Sequence, residues 1–287
     1  MDVSGHPGTQ VRVEVHHPDA PTVALFEAGL GLPMDVWHPV IEHLPEVCCI
    51  LADRPGLGGS TPWQHPPGLA DHVALIADVL AACSVDPAQP VALVGHSYAG
   101  ILVKAFARMH PERVAALVLV DPSLASQEAS TTTLVDRHPD IARDLANRLS
   151  GIGRWLGWAF AAGGTVGLGA GKPAAKSIAD AYEDLEHQQA SIDELLSIGD
   201  QASELLAMAE DHPLPDVPIL IVGAARWPGP VPKRRRRWLS ELGQRADELG
   251  PGAWVVDIEG AHLLMLDDPE ALAEAIGDAL GPLAPPA

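Results

Sequence analysis

The stretch VALVGHSYAGILVKAFA, residues 91–107, decides how the chain is read. Val91–Val94 is an unbroken apolar run, the mark of a strand buried on both faces. From Tyr98 to His110 apolar residues recur at helical spacing, until Pro111 stops them. Between the two lies Gly95-His96-Ser97-Tyr98-Ala99-Gly100. A serine held between small residues, where a buried strand turns sharply into a helix, fits a nucleophile elbow. Small residues let the strand and helix backbones approach closely, and the serine hydroxyl stands exposed above the sheet edge. A tight turn that merely contains serine looks the same over six residues, so the rest of the chain has to separate the two readings.

Working outward, apolar runs recur at TVALFEAG (22–29), VCCILAD (47–53), RVAALVLVDP (113–122), VPILIVGA (217–224) and AWVVDIEG (253–260). VRVEVHH (11–17) alternates apolar and polar residues, as a half-buried edge strand does. Helical spacing predicts helices in 34–44, 69–83, 98–110, 233–249 and 269–280. Strands alternating with helices imply right-handed crossovers and a mostly parallel sheet covered on both faces. One segment breaks the rhythm. Residues 124–212 hold no strand pattern but several amphipathic helical ones, and read as a helical cap inserted into a core made of 1–123 and 213–287.

The chain has 287 residues, 47% of them apolar, enough for one large core. Its formal charge of −20 argues against nucleic acid and anionic membranes as partners. The N-terminus shows no basic and apolar signal pattern, and no apolar run is long enough to span a membrane, so a cytoplasmic protein is expected. Cys48, Cys49 and Cys83 make no disulfide framework, and the first two read as small core residues. There is no HExxH motif and no Cys/His cluster with metal-ligand spacing, so no metal is expected. Gly164–Gly171 lacks the strand and the Lys-Ser/Thr of a phosphate loop. The run Lys233–Arg237 reads as the solvated start of a surface helix. Oligomeric state has no signature in the sequence.

Three further motifs join the elbow. GAHLLMLDDPEAL (260–272) places His262 after the last strand, in the order a serine needs for an imidazole base. FEAGLGL (26–32) follows an earlier strand with a glycine that lets a backbone N–H face the serine. DRPGLGGS (53–60) follows the next, and Asp53 and Arg54 are expected to brace that loop. Together FEAGLG, DRPGLGGS, GHSYAG, LVLVDP and GAHLLMLDDPE resemble the α/β-hydrolase superfamily over essentially the whole chain. The resemblance implies that family's eight-stranded type of core, a cap after strand six, no cofactor, and a Ser–acid–His triad of Ser97 and His262 with one carboxylate. It further implies an oxyanion hole from the N–H groups of Leu30 and Tyr98. The usual acid position, in AARWPGPVPKRRRR (224–237), carries no Asp or Glu. Asp121, at the end of LVLVD, stands where some members place it, with Asp257 and Glu259 as rivals.

His96 beside the nucleophile is expected to pack or to donate a supporting hydrogen bond. The Tyr98 side chain could face the pocket. In the cap, Trp155 and Trp158, with Phe160, are candidates to line a substrate pocket or to anchor the cap. The reading is a serine hydrolase, with a small or medium apolar ester as small-molecule substrate. The alternatives are the same triad on a lactone, a thioester, a carbon–carbon bond or peroxide chemistry, and a slow-turnover ligand-binding member of the fold.

Overall fold

The computed structural model describes residues 2–3, 6–129, 173–225 and 252–281. The expected helix at 233–249 lies outside them. Seven strands form the main sheet: β3 (Val13–His16), β4 (Thr22–Glu27), β5 (Val47–Ala52), β6 (Val91–His96), β7 (Val114–Val120), β8 (Ile219–Ala224) and β9 (Ala253–Ile258). Their order across the sheet is β3-β5-β4-β6-β7-β8-β9. Only β3 runs antiparallel; every other neighbouring pair is parallel. Every residue of β5, β6 and β8 is buried, the pattern of parallel strands covered on both faces.

The pleat divides the apolar side chains between two layers. Phe26, Cys49, Leu51, Val94, Val118 and Val222 face one, with Trp37 and the closing helix α8 (Pro269–Leu280). Leu25, Ile50, Leu93, Leu117 and Ile221 face the other, against α2 (Leu69–Ala82) and α3 (Ala99–Met109). Each such side chain, fully removed from water, contributes about 1.5–3 kcal/mol. Cys49 is wholly buried among them, and burial pushes its thiol up to about 12, so it acts as a small hydrophobe.

The sequence was expected to give an eight-stranded type of sheet. Among the described residues the main sheet has seven strands, and β1 (Asp2–Val3) and β2 (His6–Gln10) pair only with each other. The chain just before β3 is taken by the glycine-rich loop instead. Thr61 N–H donates to Gln10 O at 2.8 Å and Asp53 N–H to Arg12 O at 3.0 Å. The predicted helix at 34–44 is shorter, a 3-10 turn at Met34–Trp37 followed by α1 (His38–Ile41).

Between β7 and β8 the regular elements among the described residues are helices: α4 (Ala125–Glu128), α5 (Pro173–Ala181) and the long α6 (Leu185–Met208). Another short helix, α7 (Leu264–Asp267), precedes α8. No helix among the described residues is long and apolar enough to cross a membrane. From β4 the chain crosses outward to β5, and from β6 it proceeds the other way to β7. The reversal opens a crevice at the carboxyl ends of β4 and β6, where open α/β sheets hold their ligands.

Candidate active site

Ser97 sits at the carboxyl end of β6 with φ +53°, a left-handed conformation that costs a non-glycine residue about 1–3 kcal/mol. Three hydrogen bonds offset that cost. Ser97 N–H donates to Val120 O at 2.9 Å, and Ser97 O accepts from Gly100 N–H at 3.0 Å and Ser123 N–H at 2.9 Å. Gly95 is required by close approach. A Cβ there would lie 2.7 Å from Val103 Cγ2 and 2.9 Å from Ala99 O. Ala99 stands where the motif most often has glycine, and it is buried at the start of α3.

Asp121 ends β7 with a second positive φ, +42°. Its N–H donates to Val222 O at 2.7 Å and its Oδ1 accepts from Ala224 N–H at 3.0 Å, so two adjacent strand ends fix the carboxylate. Oδ2 meets His262 Nδ1 at 2.6 Å, and His262 Nε2 meets Ser97 Oγ at 3.0 Å. Asp121 is buried, whereas the His262 side chain is 48% exposed, open to an incoming molecule. Asp257 and Glu259 both point to solvent.

The loop carrying His262 is held from two sides. Ala261 N–H donates to Asp267 Oδ2 at 2.6 Å, and His96 Nε2–H donates to His262 O at 2.9 Å. His96 is fully buried, and burial pushes its pKa down to about 3, so it is neutral and acts as a fixed donor. A histidine whose folded pKa lies below its unfolded one keeps its contribution at neutral pH. It loses that contribution as pH falls below the unfolded value of about 6.5. The stability gap between wild type and His96→Gln should therefore shrink by about 2 kcal/mol between pH 7 and pH 5. Chemical unfolding at the two pH values measures it. A constant gap would mean that His96 is not held neutral.

Leu30 follows β4 and Tyr98 follows Ser97, and among the described residues neither N–H has a hydrogen-bond acceptor. The Tyr98 side chain does not line an open pocket. It is fully buried, its hydroxyl donating to Gln201 Oε1 at 2.6 Å and 3.2 Å from His72 Nε2. Trp155, Trp158 and Phe160 lie outside the described residues. A cavity of about 330 Å³ lies beside α6, lined by Trp63, Pro67, Ala190 and Asp193 among others, and no triad candidate lines it.

Asp53 and Arg54 were expected to brace the glycine-rich loop, but their side-chain hydrogen bonds reach away from it, to the segment after β4 and to α6. Asp53 Oδ1 accepts from Met34 N–H at 2.7 Å. Arg54, 1% exposed, reaches Glu27 on β4 and Glu194 on α6. Glu194, His187 and Gln201 have no local signature, because each partner lies far away in the sequence. Elsewhere, Glu14 Oε2 lies 3.1 Å from His16 Nε2 and 2.9 Å from His38 Nε2. Arg12 occupies the other oxygen of that carboxylate, which reads as a hydrogen-bonded surface cluster.

The model of a family described as "Alpha/beta hydrolase family" matches residues 24–275. Lipase LipV of Mycobacterium tuberculosis is 32% identical over 126 residues, 44% of this chain and 47% of the lipase. A poly(3-hydroxyalkanoate) depolymerase of Ectopseudomonas oleovorans is 39% identical over 102 residues, 34% of each chain. The matched stretches thus span half or less of either relative. The crystal structure of Cfl2 from Burkholderia cenocepacia superposes with a TM-score of 0.76 at 18% identity, covering 96% of this chain and 93% of that one, a likeness of fold.

Proposed function

The chain belongs to the alpha/beta hydrolase family, and from that premise we propose that it is a serine hydrolase cleaving small or medium apolar acyl esters. The observation that carries the reading is His262, placed 3.0 Å from Ser97 Oγ and 2.6 Å from Asp121 Oδ2. Both contacts are within the range for proton transfer and for orienting a base. A hydrolase with relatives named lipase and depolymerase is consistent with ester bonds, though those names belong to the relatives.

In this mechanism Ser97 Oγ attacks the ester carbonyl while His262 Nε2 takes its proton. Asp121 holds Nδ1–H, fixes the tautomer and stabilises the imidazolium. The N–H groups of Leu30 and Tyr98 stabilise the oxyanion, each worth on the order of 10²–10³ in kcat. His262 then protonates the leaving alcohol, and water, activated by the same imidazole, releases the acid from the acyl-enzyme. In this reading 124–212 is the cap, of which α4, α5 and α6 are among the described residues. Trp155 and Trp158 are its candidate substrate contacts. No cofactor takes part.

Hydrolysis of p-nitrophenyl esters of graded acyl length tests the reading. Turnover that peaks at short or medium chains is expected. Absence of turnover on every ester, with the protein folded, would overturn the ester assignment.

The acid is tested selectively by Asp121→Asn. The asparagine Oδ1 can still accept from Ala224 N–H, and asparagine tolerates a positive φ, so the thermal midpoint should change little. Its amide then faces His262 Nδ1 and favours the wrong tautomer. A loss of about 10⁴ in kcat is expected. Asp257→Asn and Glu259→Gln, both exposed, should stay within about tenfold. The opposite ranking would move the acid to the end of β9.

A further inference from the structure

Leu30 is flanked by two peptide groups, and a buried ion pair holds both. Arg54 Nη2 donates to Gly29 O at 2.8 Å, and Nη1 donates to Ala28 O at 2.6 Å and to Glu27 Oε2 at 3.3 Å. The other edge of the guanidinium meets Glu194 on α6, Nε to Oε1 at 2.5 Å and Nη2 to Oε2 at 3.0 Å. Glu194 Oε2 also accepts from Gly31 N–H at 2.8 Å. Gly31 O in turn accepts from His187 Nε2–H at 3.0 Å, while His187 Nδ1 accepts from Gly58 N–H at 3.1 Å. Those two bonds leave His187 a single tautomer, neutral, and burial lowers its pKa in the same sense.

The geometry of the peptide unit gives these contacts a consequence. Gly29 C=O and Leu30 N–H belong to one planar trans group and point in opposite directions. Holding the carbonyl on Arg54 therefore aims the Leu30 N–H the other way. A cation on the carbonyl also polarises the N–H, because hydrogen bonds in one chain strengthen each other in a low-dielectric interior. The next peptide is pinned through Gly31 N–H. Gly31 has φ +64°, and a Cβ there would collide with the Tyr182 hydroxyl and Ser191. The loop is thus clamped between β4 and α6.

Stability is a poor reason for this cluster. Burying an Arg–Glu pair costs several kcal/mol in desolvation, and apolar residues of similar volume commonly do as well. Apolar residues could not grip two carbonyls and an amide of a loop. Arg54 and Glu194 pair, and burial raises the Glu27 carboxyl to about 7.

We propose that Arg54 and Glu194 are positioning residues of the oxyanion loop, fixing the Gly29–Leu30 peptide so that its N–H faces the Ser97 carbonyl adduct and coupling the seating of α6 to transition-state stabilisation. The proposal rests on the serine-hydrolase reading above.

Arg54→Lys can reach one carbonyl but not the carbonyls and the carboxylate together. Glu194→Gln keeps the shape but can no longer serve both Arg54 and Gly31 with charge. Kinetics on a p-nitrophenyl ester, normalised to the folded fraction from near-ultraviolet circular dichroism, are compared with inhibition by an alkyl trifluoromethyl ketone, which forms an oxyanion on serine. For each variant kcat should fall about 10²–10³-fold, with KM within about threefold. The ketone should weaken in proportion to the loss of kcat/KM. If Arg54→Lys does not fold, Glu194→Gln carries the test. Unchanged kcat per folded molecule, or a rise in KM alone, would overturn the positioning role while leaving the esterase reading intact. A wild type that neither turns over esters nor binds the ketone would overturn both.

Discussion

Ser97→Ala is expected to lower kcat by on the order of 10⁶, leaving only the acceleration that the oxyanion hole and binding supply. The size follows from chemistry with no substitute. Alanine has no group to form the acyl-enzyme, and Ser97 Oγ is the hydroxyl that meets His262 Nε2, at 3.0 Å. The fold should survive the change. The hydroxyl is the only group removed, the Cβ and the three backbone hydrogen bonds at position 97 remain, and alanine pays the same price at φ +53° that serine does. Progress curves at high enzyme concentration and a thermal melt measure the two quantities together. A folded variant with more than about a hundredth of wild-type activity would place the nucleophile elsewhere.

His262→Ala is expected to cost about as much, because serine and imidazole act as one unit. Without Nε2 the Ser97 proton has no acceptor, and a neutral hydroxyl is a weak nucleophile. The double variant Ser97→Ala/His262→Ala should then be no slower than either single one. Independent contributions would multiply instead. His262 is half exposed and its loop is fixed through Ala261 N–H and His262 O, backbone groups that the substitution keeps, so the melting temperature should move little. His96→Gln is the control. It exchanges the titratable donor to the loop for an amide donor and touches no reacting group, so its effect on kcat should be far smaller. A severe His96 variant beside a mild His262 one would contradict the assignment.

The parallel sheet was legible because its strands carry their burial in their composition. VCCILA and VALVGH are apolar along their whole length, as only strands covered on both faces are. The closing helix was equally plain, with Asp268 and Pro269 marking its start. HPGTQ in β2 has no such run, and its pairing with β1 left no trace in the sequence. The elbow was legible because its glycine and serine are neighbours. The proposed acid was less so: three carboxylates fitted the chain order, and what sets Asp121 apart is its place 2.6 Å from His262, whereas Asp257 and Glu259 are exposed. Glu194 was invisible. In SIDELLSIG it looks like one more charge on an amphipathic helix, and its partner Arg54 is 140 positions away. Local patterns report burial and turns, whereas a buried ion pair between distant elements exists only once the fold has formed.

The most direct test of the central claim, that Ser97 is an activated nucleophile, is reaction of the wild-type protein with an alkyl fluorophosphonate followed by intact-mass and peptide-mapping mass spectrometry. One adduct per chain is predicted, on Ser97 in the peptide that spans the end of β6, with a rate that drops in His262→Ala. An unmodified folded protein, or an adduct on any other residue, would contradict it.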